Sequence, residues 1–298
     1  MRPGARKVFV DEYDELPAIY PLVTNIESST QAFEDEHVTT GLPRALRRPE
    51  GEPIPFDRPY YRGKVRYTHT GYGLGYEVVE EAFDDEQYGV LSAQGSTNLA
   101  RSLRETEEIV NHRVFNLGGT TFQTYDGAPL FSTTHQGVGG LEFSNTPGSA
   151  TELSVTALKA AMENYMKMQN DRGLRIMMRP RHLFVPVENW WTAREILGTQ
   201  FRTLSTDDDD AMNSEYGLNV TQEMGLTPIQ SPFLLDEDSW FLLPDKGRHH
   251  IRMYWRKAPM PVDDFDKRNR FAWFGIIARF SHGVTDWRGL YGNVTGAT

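Results

Sequence analysis

Three side chains within ten residues have the types of a hydrolytic site. Asp126, Ser132 and His135 match the orienting acid, the nucleophile and the general base of a serine triad. Such a triad depends on the fold to bring the groups together and to place the nucleophile on a strained turn. Ser132 has no such turn sequence around it, and Asp126 with Gly127 is an ordinary turn pair. We therefore expect no catalytic residue here, and an enzyme that uses Asp126 and His135 stays the alternative.

Acidic and histidine clusters are the candidates for a metal site. The strongest is a run of four aspartates: Asp207, Asp208, Asp209 and Asp210. Hard cations such as Ca²⁺ bind several carboxylate oxygens, but an EF-hand spaces its acids and includes a glycine turn. His249 and His250 are adjacent, so in a strand they point to opposite faces. We expect a solvated acidic loop whose aspartates are weak metal candidates, and no cofactor.

The composition excludes several classes of protein. The 298 residues include no cysteine, which excludes disulfides, thiolate catalysis and cysteine-based zinc sites. A net charge of −10 argues against a protein that grips nucleic acid over a broad surface. No apolar run has the ~20 residues of a membrane span. The basic first residues are not followed by the apolar run that a signal peptide requires. We expect a soluble protein without membrane contact.

The elements that position these residues begin with residues 1–52, which show little periodicity and contain scattered prolines. Tyr13, Ile19 and Tyr20 are too apolar for a purely disordered segment, although a flexible tail stays the alternative. We interpret this segment as an extended arm that docks on another surface.

Residues 53–87 change to a period of two, with a turn near Thr70 and Gly71. The pattern predicts a β-hairpin. Its apolar positions include Tyr67, Tyr72, Leu74 and Tyr76.

A helix is predicted over residues 97–116, because apolar side chains recur there every three or four residues and Ser96 can cap its start. A second helix is predicted over 155–170. Strands are predicted around 183–185, 240–243, 251–255 and 271–285. This mixture without internal repeats indicates the α+β class.

Five stretches, taken in order along the chain, carry a resemblance: EYDELP (12–17), YTHTGYGLG (67–75), RET (104–106), DGAPLFS (126–132) with His135, and WRGLYG (287–292). Together they resemble the major capsid (head) proteins of tailed bacteriophages, which have the Hong-Kong-97-type fold. The resemblance covers nearly the whole chain, and its specificity lies in the combination of the stretches.

The resemblance implies five parts: an N-terminal arm (1–52), an extended β-hairpin loop (53–87), a peripheral domain (88–150) with the spine helix (97–116), an axial domain (151–257) and a C-terminal return to the peripheral domain (258–298). It implies that the hairpin and the arm lie across neighbouring subunits. The implied inter-subunit contacts are Tyr67, Tyr72, Leu74, Tyr76, Tyr13, Ile19 and Tyr20.

The function implied by the resemblance is structural. Hexamers and pentamers of the chain would form the icosahedral head that encloses the double-stranded DNA genome of a tailed phage. The implied partners are further copies, a portal, packaged DNA held by non-specific contact, and optional scaffolding or decoration proteins. Because the arm starts almost at Met1, we expect any scaffold to be a separate chain. The expected location is the virion capsid, assembled in the host cytoplasm; the alternative is the shell of a bacterial nanocompartment.

Overall fold

The computed structural model describes residues 3–79, 81, 88–198, 201–203, 216–218, 220–268 and 270–294. The described helices are α1 (Pro3–Glu15), α2 (Tyr20–Val23), α3 (Tyr88–Asn116), α4 (Val155–Met166), α5 (Trp190–Gly198) and α6 (Val220–Glu223), with a 3-10 turn at Val138–Gly140. In this part of the chain no helix is both long and apolar enough to cross a bilayer.

The strands up to the middle of the chain are β1 (Asn25–Ser28), β2 (Phe33–Thr39), β3 (Tyr61–Thr68), β4 (Thr70–Val79), β5 (His135–Gln136), β6 (Glu142–Phe143) and β7 (His182–Pro186). The remaining strands are β8 (Phe201–Thr203), β9 (Tyr216–Leu218), β10 (Thr227–Ser231), β11 (Trp240–Leu243), β12 (Ile251–Asp266), β13 (Phe271–Val284) and β14 (Tyr291–Asn293).

The chain divides into two compact units. Unit 1 comprises Met1–Glu36, Arg66–Arg113 and Ile251–Gly283; unit 2 comprises His37–Val65, Val114–His250 and Val284–Thr298. Each unit draws on distant parts of the chain because its strands pair across long sequence separations. The units divide the chain at other positions than the predicted domains. Residues 114–150 join unit 2, where backbone hydrogen bonds tie Tyr125 to Thr285 and Asn145 to Gly292.

Unit 1 contains a four-stranded sheet in the order β1-β12-β13-β4. The strand β4 pairs antiparallel with β13 along its whole length, from Thr70 opposite Phe280 to Val79 opposite Phe271. The strand β1 pairs in parallel with the first part of β12.

The predicted hairpin in 53–87 is wrong in its pairing. The strand β3 pairs with β2, and β4 pairs with β13, so the two successive strands are not partners. Only His69 separates β3 from β4, and a tight hairpin turn needs about two loop residues. His69 is buried and lies 3.1 Å from each of the hydroxyl groups of Ser29 and Ser281.

The long helix α3 ends at Asn116, as predicted, but begins nine residues before the predicted start. Its apolar face packs in two groups: Leu99 and Leu103 contact Ile276, whereas Val110 contacts Phe280. Gly95, in the part of the helix before the predicted start, has a packing role, because a Cβ on it would lie 2.5 Å from the ring of Tyr76.

The N-terminal arm is helical in part, so the predicted extended conformation is wrong for residues 3–15. Phe9, Tyr13 and Leu16 are spaced by four and three residues, which places them on one face of α1 and its end. Phe9 is fully buried in the cluster with Leu99 and Leu103. The arm therefore docks on its own chain.

Unit 2 contains a second four-stranded sheet in the order β10-β7-β11-β14. The strands β7 and β11 bring Phe184 and Phe241 next to each other, and Phe115 meets both rings edge-on at 5.0 and 5.1 Å. The helix α4 starts at the predicted cap, where Ser154 accepts a hydrogen bond from the backbone of Ala157. It ends four residues before the predicted end.

Candidate functional site

Asp126 and His135, the residues of the enzyme alternative, meet in the interior of unit 2. The His135 Nδ1 lies 2.8 Å from a carboxylate oxygen of Asp126, and its Nε2 lies 3.2 Å from the carbonyl oxygen of Leu130. The imidazole stacks on the indole of Trp287, with ring centroids 4.4 Å apart. Both partners are almost completely buried.

This geometry gives the pair a structural role. Both ring nitrogens of His135 face oxygen acceptors, so neither is free to take a proton from a nucleophile. The Ser132 hydroxyl instead accepts a hydrogen bond from the backbone of Thr134. Burial raises the pKa of Asp126, but hydrogen bonds from His135 and Thr124 outweigh it, and the pKa lies below its usual value. The hydrogen bond between Asp126 and His135 therefore stabilises the loop formed by residues 126–135.

The arm residues predicted to contact a neighbour are bound by α3 of the same chain. The Tyr13 hydroxyl donates a 2.7 Å hydrogen bond to one Glu107 carboxylate oxygen, and Tyr20 donates to the other at 3.3 Å. Arg104 donates a charge-assisted hydrogen bond of 2.9 Å to the Glu107 carboxylate. Glu107 is fully buried, and burial raises its pKa.

A second buried carboxylate, Glu108, holds the backbone of the arm. It accepts hydrogen bonds from the N–H groups of Ile19 at 2.5 Å and Tyr20 at 3.0 Å. These two groups lie at the start of α2, where helix N–H groups lack intrahelical partners and favour a negative charge. On the same helix, the Nδ1 of His112 lies 2.7 Å from the backbone carbonyl oxygen of Glu108. Burial lowers the pKa of His112 to about 4. Burial likewise raises the pKa of Glu108.

The predicted contact residues around β4 also pack mainly within the chain. Tyr67 is 2% exposed and meets Tyr254 edge-on. Tyr72 stacks on Phe280 with centroids 4.6 Å apart. Tyr76 lies against Phe274 at 5.4 Å and over Gly95. Leu74 is half exposed. Tyr67 has almost no surface left for a neighbour, whereas Tyr72 and Tyr76 are half-buried. A contact between subunits therefore stays a prediction for Tyr72, Leu74 and Tyr76.

Sequence reasoning missed the most exposed apolar segment of the described chain. Residues 41–60 connect β2 to β3, and every one of these 20 residues is exposed. We call this segment the exposed loop. Its large apolar side chains are Leu42, Leu46, Ile54, Phe56 and Tyr60, and that of Phe56 is 93% exposed. Its five prolines, which favour extended backbone, are the sequence signal that could have revealed it.

The exposed loop is anchored at its base. The Thr40 backbone N–H donates to the Tyr60 carbonyl oxygen, and the Tyr60 N–H donates to the Thr40 hydroxyl, both at 2.9 Å. The Arg172 guanidinium binds the Asp57 carboxylate and the Arg58 carbonyl oxygen, and lies 5.1 Å from the Tyr60 ring centroid. The hydrogen bond from Arg172 lowers the pKa of Asp57. The loop thus presents apolar side chains outward from a fixed base.

The predicted metal candidates, Asp207, Asp208, Asp209 and Asp210, lie outside the described residues. Within the described ranges, no three histidine, aspartate or glutamate side chains are grouped to hold a metal ion.

Three comparisons relate the chain to known proteins. A family model described as phage capsid protein matches residues 63–293. A search of curated proteins found no match. Among solved structures, the chain is similar to the procapsid of bacteriophage JBD30, with a TM-score of 0.51, 14% identity, and coverage of 98% of this chain and 72% of that chain.

Two other similar structures cover both chains almost completely. The capsid of a native GTA particle has a TM-score of 0.59 and 11% identity, and the match covers 93% of this chain and 90% of that chain. The virus-like particle from Pyrococcus furiosus has a TM-score of 0.57 and 7% identity, with 98% and 99% covered. At these identities the likeness concerns the fold.

Proposed function

Since the chain belongs to the phage capsid protein family and has the Hong-Kong-97-type α+β fold, we propose that it is the major capsid protein of a tailed bacteriophage. It is a structural protein of the capsid shell. In our proposal, hexamers and pentamers form an icosahedral head around double-stranded DNA, assembled in the host cytoplasm. A portal completes the head, with scaffolding or decoration proteins as optional partners.

The exposed loop is the observation that carries the assembly proposal. Apolar surface is stabilised by burial at about 25 cal/mol per Å², and large exposed apolar patches mark interaction sites. Phe56, Ile54 and Leu46 are more than half exposed while the base of the loop is fixed. We propose that the exposed loop lies across a neighbouring subunit, the role that the sequence assigned to residues 53–87, with Leu74 as an additional contact.

The domain roles follow the compact units in this proposal. Unit 1, with α3 as the spine helix and the N-terminal arm docked on it, serves as the peripheral domain. Unit 2 serves as the axial domain and carries the exposed loop. The support for this division is that each unit has its own four-stranded sheet.

The test is Phe56→Asp, followed by electron microscopy of the purified full chain expressed with its genomic neighbours. A charge on a fully exposed side chain should change the free energy of unfolding by less than about 0.5 kcal/mol. On a neighbour, however, it would bury an unpaired charge and prevent closed particles. Phe56→Leu keeps an apolar contact and should still assemble. Normal shells from Phe56→Asp would exclude the loop contact, and a wild-type chain that never assembles would exclude the shell function.

A nanocompartment shell is the second candidate, kept because the chain is similar over nearly its full length to a virus-like particle. The content of native particles separates the two candidates. Nucleic acid inside the particles supports the phage head, whereas an enzyme cargo without nucleic acid supports the nanocompartment.

A further inference from the structure

Three arginines lie in the segment of unit 2 between α4 and β7. Arg175, Arg179 and Arg181 are exposed, and so is Met177 between them. The alternate residues Ile176, Met178, Pro180 and His182 are half-buried or buried. The backbone is left-handed at Met177 (φ 56°), and the three arginine side chains on either side of it are all exposed to solvent.

The turn that precedes β12 adds basic side chains to these three arginines. The Arg181 N–H donates a 2.7 Å hydrogen bond to the Leu243 carbonyl oxygen. The turn that follows carries Lys246 and Arg248, both exposed. A Cβ on Gly289 would lie 3.0 Å from the Arg248 carbonyl oxygen and 3.1 Å from the Met178 side chain, so the two segments share one surface. We call Arg175, Arg179, Arg181, Lys246 and Arg248 the basic patch.

The basic patch has little internal compensation. Its exposed carboxylate, Asp245, lies 3.8 Å from Arg181, and both side chains are more than half exposed. In the described part of the chain, Arg175 and Arg179 have no ion pair. The segments 175–181 and 244–250 thus carry a formal charge of +4, whereas the whole chain carries −10. Burial lowers the pKa of His182 beside the patch, and Lys246 and Arg181 act in the same direction while Asp245 opposes them.

We propose that the basic patch binds the phosphate groups of double-stranded DNA without sequence preference. Arginine guanidinium groups match phosphate oxygens in a bidentate geometry. The exposed residues of the patch include no aromatic side chain on which unpaired bases could stack, and stacking is what single-strand binding uses. The inference rests on the proposed function, because it assigns the surface that meets the enclosed genome.

The experiment measures binding of a fluorescent duplex of about 20 base pairs to unassembled full-length subunits over a range of salt concentrations. The test variant is Arg175→Gln with Arg179→Gln. The matched control is Arg256→Gln with Lys257→Gln, two exposed residues of β12 in unit 1 that change the net charge equally. Loss of two phosphate contacts should lower the slope of log K against log salt by about 2 and weaken binding roughly 10- to 100-fold at about 0.1 M salt. The control should keep the wild-type slope.

Several outcomes would overturn the inference. Absence of DNA binding by the wild-type chain would do so, as would an equal loss in both double variants. If the test variant binds DNA normally but forms no shells, the patch contacts another subunit, and the shell function stands while the DNA inference fails. If the variant alone loses DNA binding but the wild-type chain never assembles, the DNA inference stands and the proposed shell function fails.

Discussion

The first part of the N-terminal arm (residues 3–23) and the exposed loop (residues 41–60) are both apolar, proline-containing segments that precede β3, yet their side chains have opposite environments. Phe9 and Tyr20 in the arm are buried, whereas Ile54 and Phe56 in the loop face solvent. The difference lies in what the rest of the chain supplies. For the arm, α3 provides an apolar face and two buried carboxylates; for the loop, Arg172 fixes only the base. Composition therefore identifies a segment that needs a partner, but not whether that partner is the same chain.

The largest expected effect concerns the attachment of the arm. Glu107→Ala would leave the hydroxyls of Tyr13 and Tyr20 and the charge of Arg104 without their buried partner. We expect a loss of about 2–4 kcal/mol in the free energy of unfolding, measured by urea denaturation. Glu107→Gln keeps an acceptor and should lose less. A loop variant, Ile54→Ala, should stay within about 0.5 kcal/mol of wild type.

If Glu107→Ala is as stable as wild type, the arm is not held by this carboxylate. If Ile54→Ala is destabilised as strongly as Glu107→Ala, the contrast between the two regions fails.

The strand β4 tests the same contrast within one element. Tyr72 stacks on Phe280, so Tyr72→Asp should remove this contact and cost about 2–4 kcal/mol in the free energy of unfolding. Leu74, two residues away and half exposed, should tolerate aspartate at a cost below about 1 kcal/mol. Thermal melting of the purified variants measures both. Equal melting temperatures would contradict the packing of Tyr72.

The smallest effect is a pH dependence of stability. Burial raises the pKa of Glu107 and Glu108 above the ordinary value of 4.5, so the folded chain binds more protons than the unfolded chain just above that value. The stability from these groups is fully present below pH 4.5 and is lost as the pH rises through the raised pKa. Each group contributes a slope of at most about 1.4 kcal/mol per pH unit.

The measurement compares denaturant unfolding of the wild type and Glu107→Gln at a series of pH values from about 4 upward. Subtracting the free energies of unfolding of the two proteins at each pH removes the contributions that they share. One of these is the contribution of Asp126, whose lowered pKa changes stability with pH in the opposite direction. The free energy of unfolding of the wild type minus that of Glu107→Gln should fall with rising pH. A flat difference would mean that Glu107 titrates in the folded chain as it does in the unfolded one.

Local patterns explain which parts of the fold could be predicted. The spacing of Leu99, Leu103 and Val110 is sufficient to indicate α3, because a helix repeats its own period. Its early start was missed because Ser96 is a suitable N-cap residue, although the helix already begins at Tyr88. Only the position of the Tyr76 ring explains the glycine at position 95. Alternation along 271–285 likewise predicted a strand, which is observed over Phe271–Val284. The α+β class and the capsid family were confirmed by the comparisons.

These local patterns could not predict which strands pair or which surface the arm packs against. The alternation around Tyr67 and Tyr72 has the same period whether the two strands pair with each other or with distant strands, so the hairpin was predicted wrongly. The sequence did not single out Glu107 and Glu108, since burial of a carboxylate depends on side chains 87 to 94 residues away.

The amino-acid sequence by itself determined the elements with a strong period, the absence of cysteine chemistry and the order of stretches that marks the family. The tertiary structure decided that β4 pairs with β13, that the arm is bound by its own helix and that residues 41–60 have no cover. The physical reason is that periodicity depends on neighbouring residues, whereas burial depends on which distant parts of the chain pack against a side chain.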